Sequence, residues 1–309
     1  MATSKRSKNK NSIWLLLLRN RMFLGGIGIV LFFSMIALLA PVIAPTPPEK
    51  FVGGANIAPS AEFWFGTTAL GKDVFSQTVW GARNSLIIGF GTAVVATIAA
   101  LLVGMTAGYF GGTVDDVLTL IMNVFLVIPG LPLLIVLSGY LNPGTTTVIF
   151  VLALTGWAFA ARIVRSQMLS IRSKDFVAAA KVSGESNFRI IFVEIMPNMA
   201  SIIVGLVVGA VSYGIAAATA LSFLGLTDIS AVTWGTNLYW AQNGNALLVG
   251  AWWTFAPSGL SVALVIFGLA LINYAMDEIT NPRLRAEKDV SNVTKGQANT
   301  EIRATPVVR

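Results

Sequence analysis

Long apolar segments with almost no charged side chains constrain this chain more than any other feature. A membrane-spanning helix needs about 20 predominantly apolar residues, and six segments reach or approach that length: residues 22–44, 86–108, 117–140, 146–161, 199–221 and 255–276. Charged residues make up only 11% of the chain, against about 25% in soluble domains. The sequence therefore predicts an all-α membrane protein with six transmembrane helices.

The basic residues are distributed in a way that predicts the topology. Of the 21 Lys and Arg residues, 18 lie in residues 1–21, 162–198 and 278–309, six in each segment. Cytoplasmic loops of membrane proteins carry an excess of Lys and Arg. We therefore expect these three segments and both termini to be cytoplasmic, and we attribute the net charge of +7 to topology rather than to nucleic-acid binding.

Several kinds of chemistry are missing from the sequence. The chain contains no Cys and no His, which removes thiol catalysis, disulfides, imidazole bases and the usual transition-metal ligands. The predicted spans after the first also lack Asp, Glu, Lys and Arg, whereas ion-coupled pumps place such groups at membrane depth. We expect no catalytic residue, no metal site and no bound cofactor, so the driving force must come from elsewhere.

One motif imitates a nucleotide site. Residues Gly66–Lys72 fit the pattern G-x-x-x-x-G-K, but the next residue is Asp73, where a phosphate-binding loop needs Ser or Thr for Mg²⁺. Its carboxylate would repel phosphate, and the segment lies on the predicted external side. We expect no nucleotide there.

The basic segment 162–198 is predicted to form two short amphipathic helices. Asp175 is placed to cap the first helix and Gly184 to end it in a left-handed conformation. Ser186 is placed to cap the second, which Pro197 should interrupt. Apolar or small residues recur at helical spacing in both: Phe176, Ala179, Ala180 and Ser183 in the first, and Phe188, Ile191, Phe192 and Ile195 in the second. This pattern indicates a docking element.

Three blocks of sequence carry a family resemblance. They are Ala178-Ala179-Ala180 with Gly184 and Ile195-Met196-Pro197-Asn198, then Phe65–Ser76 with Gly81–Leu86, and finally Ser222–Leu226 with Asn281–Arg285. Together they resemble permease subunits of binding-protein-dependent ABC importers, in the branch of the second permease of dipeptide, oligopeptide and nickel importers. The resemblance covers about residues 22–285. It implies a type I permease core with an extra N-terminal helix.

The resemblance also implies an organisation and a set of contacts. The chain should comprise a cytoplasmic tail (1–21), a first transmembrane helix (22–44), an external segment with an interfacial helix (45–83), a five-helix core (84–277) and a cytoplasmic tail (278–309). In the family, the central loop is a coupling helix that fits a cleft on an ATPase. The residues expected to make that contact are Asp175, Phe176, Ala178, Ala179, Ala180, Lys181, Gly184, Glu185 and Pro197. Ala178 replaces the usual Glu, so Asp175, Lys181 or Glu185 must supply the polar contact.

The implied partners are a homologous second permease, two ATP-binding subunits that carry ATP and Mg²⁺, an external solute-binding protein and membrane lipid, in a bacterial or archaeal plasma membrane. A peptide is the first substrate hypothesis, with an oligosaccharide or a nickel chelate as alternatives. A stand-alone channel or carrier, or a membrane scaffold, would need no such partners.

Polar residues at membrane depth are candidates for a translocation path. They are Asn123, Ser138, Thr155, Ser212, Tyr213, Thr219 and Ser222, with Asn273 on the last span. Each could instead form hydrogen bonds between helices.

Overall fold

The computed structural model describes residues 19–128, 130–141 and 144–280, without the side chains of residues 131, 138, 279 and 280. These described residues are mainly helical, and their β pairing is limited to two isolated bridges, Phe51 with Lys72 and Thr67 with Asp73. The α-helices in chain order are α1 (Arg21–Leu38), α2 (Ala40–Ile43), α3 (Val74–Phe110), α4 (Gly112–Val127), α5 (Gly130–Tyr140), α6 (Thr145–Arg172), α7 (Asp175–Val182), α8 (Asn187–Arg189), α9 (Ala200–Phe223), α10 (Trp234–Asn243) and α11 (Ala256–Thr280).

In the part of the chain that the structure describes, five helical stretches are long and apolar enough to cross a membrane: Arg21–Leu38, Val74–Phe110, Thr145–Arg172, Asn187–Phe223 and Ala256–Glu278. They confirm an all-α membrane fold in which one helix precedes a core. The remaining predicted span, 117–140, is divided between α4 and α5, which are 16 and 11 residues long. The sequence of this span contains two prolines, which favour a bend in the helix. Pro129 lies outside the described residues, while Pro132 lies in the first turn of α5, where a missing N–H is tolerated.

Helix α3 is longer than the sequence predicted. The expected interfacial helix and the second span are one helix of 37 residues, so the predicted boundary at residue 84 falls inside it. Asp73 caps its N-terminus by accepting hydrogen bonds from the Phe75 and Ser76 amides at 3.3 and 2.9 Å. No proline follows in α3, and Gly81 packs against Trp234. The helix therefore has no local reason to end before the membrane.

Helix α6 also extends beyond its predicted end at Ala161. It continues to Arg172, so the first part of the predicted basic loop is helical. Arg162 donates to Asn123 Oδ1 at 2.6 Å, and Arg165 pairs with Asp115. These partners hold the basic side chains along the helix, which explains why a segment predicted as a loop continues the span.

Helices α3 and α6 pack closely at two glycines of α3. A Cβ on Gly104 would lie 2.5 Å from the Ala161 carbonyl oxygen, and one on Gly108 would lie 2.8 Å from the Arg165 carbonyl oxygen. Gly104 and Gly108 have the G-x-x-x-G spacing that allows two helices to approach closely, so this contact is one that the sequence itself predicts.

The segment before α3 is held together by polar contacts. Thr67 is fully buried, where its hydroxyl donates to the Gly54 carbonyl at 2.7 Å and accepts from the Ile57 amide at 2.8 Å. Backbone amides of the motif that imitates a phosphate loop bond within the segment, Gly71 to the Thr68 carbonyl at 2.9 Å and Lys72 to the Thr68 hydroxyl at 3.1 Å. These donors are used within the fold.

Candidate docking hairpin and membrane cavity

Residues 174–199, here called the basic hairpin, begin with helix α7. Its N-cap is Lys174, and no side chain caps the helix. The prediction that Asp175 is the cap is therefore wrong. Lys174 has an extended backbone, which moves Asp175 into the first turn, where its carboxylate still interacts favourably with the helix dipole.

The turn after α7 is formed as predicted. Gly184 has φ = +79°, a conformation that glycine adopts without a steric cost. The Glu185 amide donates to the Ala180 carbonyl at 3.2 Å, and the Gly184 amide donates to the Lys181 carbonyl at 3.0 Å. These two bonds form a Schellman motif, which satisfies carbonyl groups that the end of the helix leaves open.

The second arm of the hairpin begins as predicted. Ser186 caps it by accepting from the Arg189 amide at 3.3 Å. Pro197 prevents a smooth α-helical continuation, as predicted, because a π-helix (Ile190–Ile195) and a 3₁₀ turn (Met196–Met199) separate the start of this arm from α9. The altered winding accommodates the missing proline N–H, and the Asn198 side-chain amide donates to the Glu194 carbonyl at 2.6 Å.

The structure shows which face of the hairpin is buried. Val177, Ile190 and Ile195 are fully buried in a cluster with Val164 and Met168 of α6. In the first arm, Phe176, Ala179 and Ser183 are exposed and Ala180 is partly buried. In the second arm, Ile191 and Ile195 are buried, Phe192 is partly buried and Phe188 is exposed. Val177 was not predicted, because one valine in an eight-residue helix does not reveal which side meets a neighbour.

Most residues predicted to contact an ATPase are available at the surface. Asp175, Phe176, Ala178, Ala179, Lys181, Gly184 and Pro197 are exposed, while Ala180 and Glu185 are partly buried. The hairpin also exposes large apolar side chains, namely Phe176, Val182, Phe188 and Val193. An exposed apolar patch rimmed by polar residues is typical of an interaction surface.

The three candidates for the missing polar contact differ in their intramolecular partners. Glu185 forms an ion pair with Arg189, and the Lys181 ammonium lies 5.2 Å from the centre of the Tyr109 ring. Asp175 has no side-chain partner among the described residues. Of the three, Asp175 is therefore the group most available to a partner.

Basic side chains of α6 hold the connection between α3 and α4. Arg165 donates two hydrogen bonds to Asp115, Nε to Oδ1 at 2.5 Å and Nη2 to Oδ2 at 2.6 Å. The hydrogen bond from Arg165 is the main reason that the pKa of Asp115 lies below its usual value. Arg172 donates to the Gly108 and Tyr109 carbonyls at 2.8 and 3.1 Å. These contacts fix the end of α3 beside the hairpin.

A cavity of about 570 Å³ lies between α6, α9 and α11. Its lining is mainly apolar, with Thr155, Tyr213, Asn273 and Asp277 among its polar residues. The Thr155 and Tyr213 hydroxyl oxygens are 2.8 Å apart. A Cβ on Gly209 would meet no atom within 4 Å, so the small residues of α9 leave space here rather than pack a helix.

The predicted path residues do not all meet at this cavity. Thr155 and Tyr213 line it, together with Asn273. The Ser138 side chain lies outside the described residues, and Thr219 is not among the lining residues. The other three predicted path residues form hydrogen bonds with partners that do not line the cavity: Asn123 with Arg162, Ser212 with the Val208 carbonyl, and Ser222 with Thr227. Asp277 also lies at the cavity, because α11 continues past it to Thr280.

Comparison with known families decides what kind of protein carries these features. The family model described as the binding-protein-dependent transport system inner membrane component matches residues 100–286, more than half of the chain. The chain belongs to this family. The matched region of this inner membrane component includes the basic hairpin and, except for Ala96, the residues that line the cavity. The match confirms the resemblance drawn from the sequence blocks.

A second model, the N-terminal TM domain of oligopeptide transport permease C, matches residues 11–59. This region contains α1 and confirms the extra N-terminal helix of this inner membrane component. Helix α1 packs on α11 at Gly26, where a Cβ would lie 2.5 Å from the Gly268 carbonyl oxygen.

Named relatives align with most of this inner membrane component. The dipeptide transport system permease protein DppC of Bacillus subtilis is 34% identical over 275 residues, covering 88% of this chain and 85% of the relative. The oligopeptide transport system permease protein OppC of Bacillus subtilis is 32% identical, covering 91% and 93%. The di/tripeptide transport system permease protein DppC of Pseudomonas aeruginosa is 30% identical, covering 88% and 91%.

Proposed function

We propose that this chain is a permease subunit of an ATP-driven importer of dipeptides or oligopeptides. It would form the translocation path with a homologous second permease and contact two ATP-hydrolysing subunits through the basic hairpin. An external solute-binding protein would deliver the peptide. ATP and Mg²⁺ would be bound by the ATPases, and this chain would bind no cofactor and catalyse no reaction.

The exposed outer face of the basic hairpin is the observation that carries this proposal. The hairpin is anchored from below by buried Val177 and Ile190, yet it presents Phe176 and Phe188, which are 40% and 71% exposed. The tight Gly184 turn holds the two arms in a fixed relation. A rigid surface with exposed apolar side chains suits a partner that must displace the membrane helices, because little of the displacement is lost to deformation of the surface itself.

A peptide substrate is supported by the names of the relatives, which are permeases of dipeptide, di/tripeptide and oligopeptide transport systems. The mainly apolar cavity with a few hydroxyl and amide groups would tolerate varied side chains. Uptake of an oligosaccharide or a nickel chelate by the same assembly, with no uptake of peptide, would overturn the peptide assignment.

We also propose that the chain lies in a bacterial or archaeal plasma membrane with both termini and the hairpin in the cytosol. The natural absence of Cys allows a direct test with a Ser183→Cys variant. A membrane-impermeant thiol reagent should label it only after the cells are opened. Labelling of intact cells would reject this topology.

The docking role can be tested by comparing alanine variants of two phenylalanines that are similarly exposed but lie in different parts of the fold. Phe188 on the hairpin is 71% exposed, and Phe51 in the segment before α3 is 69% exposed. We expect Phe188→Ala to reduce co-purification of the ATPases by roughly fivefold or more, as loss of an aromatic anchor does at protein interfaces. Phe51→Ala should leave co-purification unchanged.

Equal loss in both variants, or in neither, would argue against docking through the hairpin. Transport by the purified single chain without any partner would instead favour a stand-alone carrier.

A further inference from the structure

Helix α3 connects two distant parts of the fold. Its 37 residues correspond to a length of about 55 Å at 1.5 Å per residue. It contains no proline and is a single helix throughout. Such an element transmits a displacement of one end to the other, provided that both ends are attached to their surroundings.

The N-terminal end of α3 is attached to α10 by hydrogen bonds. The Trp234 indole donates to the Thr78 carbonyl at 3.1 Å, and the Asn237 side chain donates to the Gln77 carbonyl at 3.0 Å. Trp234 is fully buried. Because these bonds are shielded from water, α10 is expected to follow this end of α3 rather than slide past it.

The C-terminal end of α3 is attached to the basic hairpin through Tyr109. The Tyr109 hydroxyl donates to Asn187 Oδ1 at 2.8 Å, and the Lys181 ammonium lies over the Tyr109 ring. Lys181 belongs to the first arm and Asn187 to the second. Tyr109 is 7% exposed and packs in the cluster that contains Val177 and Ile190. One side chain of α3 therefore contacts both arms of the hairpin.

We propose that Tyr109 is the positioning residue through which a displacement of the basic hairpin moves α3, and that α3 carries this movement to α10. The inference rests on the proposed function, because an ATPase must supply the displacement. Signals would also pass in reverse, since a partner that binds near α10 would bias the hairpin through the same helix.

The first test uses Tyr109→Phe in the complete assembly, with the second permease, the ATPases and the binding protein in liposomes. Phenylalanine keeps the ring and its contact with Lys181 but removes the hydrogen bond to Asn187. We expect the number of peptides imported per ATP hydrolysed to fall about two- to tenfold, the effect of one lost hydrogen bond on an equilibrium.

Tyr274→Phe is the matched control, because Tyr274 is 58% exposed on α11, and its ratio should not change. An unchanged ratio in Tyr109→Phe, including equal losses of import and hydrolysis, would overturn the inference. A normal assembly that neither hydrolyses ATP nor imports peptide would refute the proposed function instead.

The second test follows movement at each end of α3 with single-cysteine reporters, which the Cys-free chain makes possible. A fluorophore at Ser173→Cys, one residue before the hairpin, reports on displacement of the hairpin. A fluorophore at Leu248→Cys, where Leu248 is 87% exposed, reports on the region beyond α10. We expect ATP to change both signals in the normal assembly. Adding Tyr109→Phe should preserve the Ser173 response and abolish most of the Leu248 response.

An undiminished Leu248 response in the Tyr109→Phe background would overturn the transmission route, and so would loss of the Ser173 response, because the hairpin itself would then be disturbed. No response at Ser173 in the normal assembly would count against ATPase docking rather than against Tyr109.

Discussion

Replacement of Gly184 tests whether the shape of the hairpin turn, rather than its side chains, is what a partner requires. Gly184 has φ = +79°, and a Cβ added there would meet no heavy atom within 4 Å. A substitution therefore introduces backbone strain without a clash inside the chain. This separation of strain from packing makes the position suitable for a graded series of variants.

The expected loss of affinity follows from the free-energy cost of the left-handed backbone conformation. A residue with a Cβ pays about 1–2 kcal/mol there, whereas Asn tolerates the region better. A penalty of that size reduces the population of the native turn, relative to competing turns, roughly 5- to 30-fold. If the ATPase binds only the native turn, its apparent affinity falls by at most that factor, because the affinity follows the fraction of chains that hold the native turn.

We expect the order of affinity to be Gly184, then Gly184→Asn, then Gly184→Ala, and uptake should follow the same order. The measurement is a titration of the reconstituted permeases with purified ATPase, followed by peptide uptake at saturating ATPase. The free energy of unfolding of the membrane subunits should fall by no more than this strain, about 1–2 kcal/mol, because an added Cβ meets no other part of the described fold.

Two results would refute this reasoning. An Asn variant as impaired as the Ala variant would show that the sign of φ is not the determinant. A Gly184→Leu variant far weaker than Gly184→Ala would show that space at the docked interface, rather than strain, limits the contact.

Two further predictions concern the attachment of α6 to its neighbours. Asp115→Asn should lower the free energy of unfolding by about 1.5–3 kcal/mol at neutral pH, the range for hydrogen bonds to charged groups. Arg165 lowers the pKa of Asp115 in the folded state. This contribution is therefore fully present above the ordinary pKa of an aspartate and is lost as the pH falls through the lower pKa of the folded state. Thermal unfolding of both proteins across pH 3–7 checks this prediction, and a difference that stays constant with pH would contradict it. Gly104→Ala should lower the free energy of unfolding by about 1–3 kcal/mol, because the added methyl group overpacks the contact with Ala161. Gly209→Ala, at an open position, should leave the free energy of unfolding unchanged. Equal melting temperatures for the two variants would contradict the packing argument.

Local features of the hairpin were accessible from the sequence. Gly184 and Ser186 were assigned correctly because a helix end depends on residues within a few positions, as the Glu185-to-Ala180 hydrogen bond illustrates. Close packing at Gly104 and Gly108 was likewise predictable, since only the absence of a side chain allows a carbonyl oxygen so near.

Helix ends were predicted less well where distant residues decide them. Helix α6 continues past Ala161 because Arg165 finds Asp115, 50 positions away. The winding around Pro197 depends on the buried contacts of Ile190 and Ile195 with α6. A hydrophobicity pattern contains no information on such partners, so it places the end of the helix at the first charged residue.

The sequence by itself determined that this chain is a helical membrane protein with a structured basic hairpin, because apolar length, charge distribution and turn residues act locally. Only the tertiary structure decided which face of the hairpin is buried, that Tyr109 contacts both of its arms and that Thr155 meets Tyr213 at a cavity. Those contacts join residues 58 to 78 positions apart, and their free energy exists only once the helices have packed.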